Sequence, residues 1–179
     1  MSKSRLLKDK TILLVDDEPD VLETFKELLE VQADIILHTA GTFEEGRQLL
    51  HSHNYDVVIL DIMGVQGFDL LEIAVHRGFS VIMLTAHALN PEALKRSIEM
   101  GAKAYLPKTA LPDIVPFLED VLRLSYQSVW LKVIGQVSTL FDIRFGPDWR
   151  KSEREFWNEF EKNLSMDNPA IITERNRHP

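Results

Sequence analysis

The sequence predicts an α/β fold built on a parallel sheet, and three observations carry that prediction. Short apolar runs alternate with stretches of helical periodicity through the first two-thirds of a 179-residue chain. The runs are apolar without strict alternation, as strands covered on both faces are. The segments between runs are long enough to hold a helix each, which a right-handed crossover between parallel strands requires.

The elements follow in order. Thr11–Val15 is rich in branched residues and ends at Asp16-Asp17. Pro19 then suits a first helical turn, where its missing N–H leaves nothing unsatisfied. Val21, Leu22, Phe25, Leu28 and Leu29 recur behind it at helical spacing. Ile35–Leu37 is a second short run, and Thr42 can cap a helix from Phe43 to Leu50. Val57–Leu60 is the third strand and ends at Asp61; a helix from Phe68 to Val75 follows and stops at Gly78. Val81–Leu84 is the fourth strand and ends at Thr85. Asn90-Pro91 opens a helix that runs to Met100 and ends at Gly101. Ala102–Leu106 is the fifth strand, with Lys108 just beyond it.

In parallel sheets of this kind a ligand sits outside the carboxyl ends of the strands. Asp16, Asp17, Asp61, Thr85 and Lys108 all stand at such ends, so they are expected to converge. Three carboxylates that close together repel, and either their pKa values rise or a cation neutralises them. A hard divalent ion such as Mg²⁺ is the natural partner for that oxygen set. With the Lys108 ammonium and the Thr85 hydroxyl, the set could stabilise the oxygens of a transferring phosphoryl group. Asp61, alone on a central strand, is the best candidate nucleophile. Asp16-Asp17 on its own would read as a helix cap, and Thr85 as a strand-end hydroxyl; their company favours a site.

Leu13-Leu14-Val15-Asp16-Asp17-Glu18-Pro19, Val57-Val58-Ile59-Leu60-Asp61, Met83-Leu84-Thr85-Ala86 and Gly101-Ala102-Lys103-Ala104-Tyr105-Leu106-Pro107-Lys108 occur in that order. Each piece is weak alone, and together they are specific. From about Asp9 to Arg123 the chain resembles the receiver domain of two-component response regulators. The resemblance implies a doubly wound, flavodoxin-like five-stranded parallel sheet of order 2-1-3-4-5. It implies Asp61 as phosphoacceptor, Mg²⁺ on Asp16, Asp17, Asp61 and the Met63 backbone carbonyl, and Thr85 and Lys108 against the phosphoryl group. Ala86 is small, as the family uses there to admit the phosphodonor. Tyr105 falls at the aromatic switch position coupled to Thr85; the other reading is a half-buried edge-strand aromatic. Two departures stand out. Thr109 follows Lys108 where the family usually has a cis proline, so a trans peptide and a looser loop are expected. The loop Met63-Gly64-Val65-Gln66-Gly67 is shorter than usual and lacks the usual proline. Gly64 and Gly67 read as loop residues needing unusual dihedrals.

Composition bounds the rest. With 45% hydrophobic and 27% charged residues the chain reads as a soluble globular protein. It has no cysteine, which excludes disulfides, thiolate metal sites and cysteine nucleophiles. No leader or membrane span is evident in the sequence, and a cytoplasmic location is expected. The net charge of −8 lies entirely ahead of Tyr126, where 20 acidic residues face 12 basic ones. That balance argues against non-specific nucleic-acid binding, and no DNA-binding domain is evident. His87 reads as an exposed loop residue near the site mouth, and the other histidines as surface residues.

The receiver unit is placed at residues 9–124, a helical extension at 125–164 and a disordered tail at 165–179. The helix starting near Asp113 has no obvious stop at Leu124. Tyr126, Val129, Trp130, Val133, Ile134, Val137, Leu140 and Phe141 continue its apolar stripe to Gly146-Pro147. Asp148 can cap a second helix with Trp149, Phe156, Trp157, Phe160 and Leu164 on one face. Such surface must fold back on the receiver, bind a partner, or pair with a second copy; a homodimer through the extended fifth helix is one expectation.

The functional expectation is a response regulator that takes a phosphoryl group from a sensor histidine kinase or phosphotransfer protein onto Asp61, with a conformational change read by the helical tail. It would catalyse only its own phosphotransfer and dephosphorylation and is not expected to be an enzyme otherwise. A phosphorylation-independent interaction module is the alternative. A Mg²⁺-dependent phosphohydrolase is a further rival, disfavoured because Met63 stands where its second acid belongs.

Overall fold

The computed structural model describes residues 4–32, 34–86 and 90–165. Five strands form one parallel sheet: β1 (Thr11–Val15), β2 (Ile36–Ala40), β3 (Val57–Asp61), β4 (Ser80–Thr85) and β5 (Ala104–Pro107). Their order is β2-β1-β3-β4-β5, as the resemblance implies. Helices α1 (Pro19–Gln32), α2 (Phe43–Ser52), α3 (Gly67–His76) and α4 (Pro91–Glu99) supply the four crossovers and, with α5 (Ile114–Arg123) after the last strand, cover both faces. The central strands β1, β3 and β4 are accordingly buried almost throughout. β2, at the edge, is only partly buried, and it runs on through the polar His38 and Thr39 that hid its length in the sequence.

The helix starts are those the side chains dictate. The Thr42 hydroxyl accepts from the Glu45 N–H and the Asn90 side chain accepts from the Ala93 N–H, each satisfying a first-turn donor. Gly78 and Gly101 take positive φ just past α3 and α4. His38 departs from the surface reading: its Nδ1 lies 2.9 Å from the Tyr55 hydroxyl and its ring packs edge-on to His53.

The extension differs from expectation. The fifth helix is not extended. Leu124 is in the β region, and the Ser125 hydroxyl caps a new helix, α6 (Tyr126–Phe145), by accepting from the Ser128 N–H. The apolar stripe continues across the break in sequence, so periodicity alone could not reveal it. The second tail helix starts later than Asp148: Trp149 lies in a turn, a 3₁₀ segment spans Lys151–Glu153, and α7 is Arg154–Ser165.

This break lets α6 fold back on the receiver. Val129, Trp130, Val133, Val137 and Phe141 are all buried, and the Trp130 indole N–H donates to the Ala102 carbonyl just ahead of β5. The stripe expected to drive a homodimer is therefore consumed within the chain; Leu131, Leu140, Ile143 and Phe145 are the large apolar side chains that α6 leaves exposed. Helix α7 closes over α6 through edge-on contacts of Phe160 with Trp130 and of Trp149 with both Phe141 and Trp157. Lys95 of α4 reaches the extension too, 2.8 Å from Glu153 and over the ring of Phe156. All three tryptophans of the chain lie in this extension. The expected disordered tail lies, beyond Ser165, outside the described residues, as does His87.

Candidate functional site

The parallel topology brings the predicted residues to one edge. Asp16 follows β1, Asp61 ends β3, Thr85 ends β4, and Lys108 follows Pro107 at the end of β5. The register pairs Val15 with Leu60, Asp61 with Leu84 and Thr85 with Pro107, so the strand ends lie level across the sheet. Asp17, Glu18, Asp61, Met63, Gly64, Ala86 and Lys108 line a cavity of about 180 Å³ there.

Oxygens of Asp16, Asp17 and Asp61 lie within 4.8 Å of one another, with Asp16 and Asp61 buried and Asp17 exposed. Burial, then the neighbouring Asp16 charge, pushes the Asp61 carboxyl up to about 6 against the pull of Lys108. Burial also raises the Asp16 carboxyl, although the Lys108 ammonium and the Glu18 N–H oppose it. Burial alone would lower the Lys108 ammonium, but the carboxylates of Asp16, Glu18 and Asp61 outweigh it and hold its pKa above the usual lysine value.

Lys108 Nζ sits 2.6 Å from Glu18 Oε1, 2.8 Å from Asp16 Oδ2 and 3.3 Å from Asp61 Oδ1. Asp16 Oδ1 accepts from the Glu18 N–H. Asp16 Oδ2 is fully buried, and the Lys108 ammonium is its partner. Three carboxylates this close against a single ammonium leave an excess of negative charge at the strand ends, and a cation beside them would relieve it. The donor set of hard oxygens thus fits a divalent ion such as Mg²⁺.

The loop after β3 closes on these carboxylates. Gly64 has φ +34°, and a Cβ there would overlap the Asp17 carboxylate; a Cβ on Gly67 would overlap the Asp61 carbonyl. Sequence reading took both glycines as loop residues needing unusual dihedrals, but of the two only Gly64 has a positive φ. The signal it passed over was their nearness to Asp61, which leaves no room for side chains between the loop and the strand ends. The Met63 carbonyl, expected to complete the metal site, accepts from the Val65 N–H within this loop; a carbonyl has a second lone pair for another partner.

Tyr105 is buried, which excludes the half-buried reading. Its hydroxyl meets the Thr85 side chain and the Asn90 backbone, and burial raises its pKa. The buried Thr85 at the end of β4 is therefore engaged with β5, and it is not among the residues that line the cavity. Among the described residues no peptide is cis, so the Lys108–Thr109 bond is trans as expected. Glu18 is the residue that sequence reasoning gave no role; its only sequence signal was its place beside Asp16-Asp17.

Known proteins share this arrangement. The chain is 30% identical over 135 residues to the transcriptional regulatory protein PdtaR of Mycobacterium tuberculosis, covering 73% of this chain and 64% of that one. It is 26% identical over 126 residues to the transcriptional regulatory protein YvrH of Bacillus subtilis, covering 68% and 53%. The chain thus spans between half and two-thirds of the length of these relatives. Among solved structures, it is similar to a CheY-like receiver domain protein from Methanospirillum hungatei, with a TM-score of 0.58 and 28% identity over 64% of this chain and 94% of that one. A response regulator from Chloroflexus aurantiacus superposes with a TM-score of 0.57 and 26% identity over 65% of this chain and all of that one. No helix among the described residues is long and apolar enough to cross a membrane. The family model of the response regulator receiver domain matches residues 12–116, more than half of the chain, and the protein belongs to that family.

Proposed function

We propose that this chain is a phosphorylation-driven response regulator of the cytoplasm. It takes a phosphoryl group onto Asp61 from a phosphohistidine of a sensor histidine kinase or phosphotransfer protein. The observation that carries this reading is the convergence of Asp16, Asp17 and Asp61 within 4.8 Å, with Lys108 3.3 Å from Asp61. Mg²⁺ held by Asp16, Asp17, Asp61 and the Met63 carbonyl would supply positive charge against the phosphoryl oxygens. An Asp61 oxygen forms the new O–P bond as the P–N bond breaks, and the imidazole leaves with the electron pair. Lys108 is placed to neutralise the acyl phosphate and Thr85 to donate a hydrogen bond to it. Movement of Thr85 toward that oxygen would disturb its contact with Tyr105, and the change would pass through β5 to the docked extension. The chain would turn over no other substrate.

One observation favours a second reading, an interaction module independent of phosphate: the short loop after Asp61 brings Gly64 directly against the Asp17 carboxylate and Gly67 against the Asp61 carbonyl. One experiment separates the two. Incubation with phosphoramidate and Mg²⁺, followed by intact-mass spectrometry, should add one phosphoryl group to the wild type and none to Asp61→Asn. An unmodified wild-type protein would leave the second reading standing.

A further inference from the structure

We infer that Glu18 is a positioning residue whose carboxylate holds the Lys108 ammonium back from Asp61 and so restrains phosphoryl uptake. The inference rests on the phosphoacceptor reading above.

The distances rank the partners of Lys108. Glu18 Oε1 is nearest at 2.6 Å and is a hydrogen bond, Asp16 Oδ2 follows at 2.8 Å, and Asp61 Oδ1 is farthest at 3.3 Å. The ammonium is therefore bound most closely to the group that takes no part in the transfer. Glu18 can do this because its backbone is fixed. Its N–H donates to Asp16 Oδ1, and its carbonyl accepts from the N–H groups of Val21 and Leu22 at the start of α1. The side chain leaves from that anchored point and reaches over the mouth of the cavity, which Glu18 helps to line. Exposure separates its function from that of the other acids: the Glu18 side chain is 55% exposed, against 0% for Asp16 and 5% for Asp61. Its pairing with Lys108 is thus a solvent-screened contact that can open, whereas the two aspartates are fixed in the floor.

A phosphoryl group arriving at Asp61 brings new anionic oxygens that compete for the same three N–H donors. In the reaction with phosphoramidate, an Asp61 oxygen forms the O–P bond while the P–N bond breaks. The nitrogen already carries three protons and leaves as ammonia with the bonding pair. Lys108 meets the transferring oxygens only to the extent that it lets go of Glu18.

The test compares wild type, Glu18→Gln and Glu18→Asp in full-length protein, with phosphoramidate as donor at saturating Mg²⁺. An exposed ion pair contributes little, so the expected gain is modest. Glu18→Gln should be phosphorylated about two- to fivefold faster than wild type at low ionic strength. The ratio should fall toward one at about 0.5 M salt, where screening loosens the wild-type pair. Glu18→Asp, which keeps the charge on a shorter arm, should fall between the two. Mg²⁺ affinity by calorimetry and the melting temperature should stay at wild-type values. Equal or slower phosphorylation of Glu18→Gln overturns the inference while leaving the phosphoacceptor reading intact. Weakened Mg²⁺ binding in Glu18→Gln also overturns it, because Glu18 would then be a metal ligand. A wild type that takes no phosphoryl group overturns both.

Discussion

The indole nitrogen of Trp130 donates a hydrogen bond to the backbone carbonyl of Ala102 across 3.1 Å, joining the extension to the loop that leads into β5. Ala102 lies three residues before Tyr105, whose hydroxyl meets Thr85 at the site edge. The extension is thus fastened at the start of the strand that carries Tyr105, a partner of Thr85. Its docking and the state of the site share one structural element.

Trp130→Ala should therefore be among the most damaging single changes outside the sheet. It removes a fully buried side chain and leaves the Ala102 carbonyl without its indole donor. A large-to-small change of this kind costs about 3–5 kcal/mol. Urea unfolding monitored by circular dichroism should show a lower midpoint with α6 and α7 loosened first. A wild-type midpoint would mean that the extension contributes nothing to the fold.

Asp61 sets a pH dependence. Its carboxyl titrates near 6 in the folded chain against an ordinary value of 3.8. The folded state therefore holds a proton across that window that the unfolded state has released. The stability this proton confers is complete below the ordinary value and is lost as pH rises through about 6. Asp61→Asn removes the charge that burial opposes. Without divalent metal it should match wild type near pH 4 and exceed it by roughly 2 kcal/mol at about pH 7.5. Thermal melts in chelator at both pH values check this; equal melting temperatures at the higher pH would show that Asp61 is not strained by its surroundings.

The metal reading makes a paired prediction. Asp17→Ala removes an exposed carboxylate from a set of three, so Mg²⁺ affinity should fall by more than about tenfold with the fold unchanged. Gly64→Ala changes no functional group, yet its new methyl would overlap the Asp17 carboxylate and its backbone sits at positive φ. It should weaken Mg²⁺ binding in the same direction. Calorimetric titration of both variants decides the matter, and wild-type affinity in either would mean that the ion sits elsewhere.

Tyr105→Phe deletes the hydroxyl that meets Thr85 and keeps the buried ring. Phosphorylation itself should persist, since Asp61 and Lys108 are untouched. Hydrogen exchange of α6 amides should change on phosphorylation of the wild type and change less in Tyr105→Phe. Identical responses in the two proteins would place the coupling outside this hydroxyl pair.

The fold and the site differ in how openly the sequence displays them. Buried parallel strands are continuous apolar runs, so β1, β3 and β4 could be read directly, and their ends named Asp16, Asp61 and Thr85. The edge strand β2 was cut short because exposure lets His38 and Thr39 interrupt the pattern. The break at Leu124-Ser125 was hidden because both flanking helices bury apolar faces that happen to stay in phase. Gly64 was visible as a turn residue but not as a close neighbour of Asp17, a relation between segments far apart in sequence. Glu18 was missed for the same reason, since its partner Lys108 lies 90 residues away.

The placement of the tryptophans has an optical consequence. Residues 9–124 contain none, so under excitation selective for tryptophan the emission of this protein comes entirely from Trp130, Trp149 and Trp157 of the extension. Trp149 and Trp157 sit with ring centroids 5.0 Å apart and exchange excitation, while Trp130 lies sealed against the loop before β5. The receiver adds only the tyrosine emission of Tyr55 and Tyr105. A shift of tryptophan emission on adding a phosphodonor would therefore report a change in the surroundings of α6 and α7 without a label.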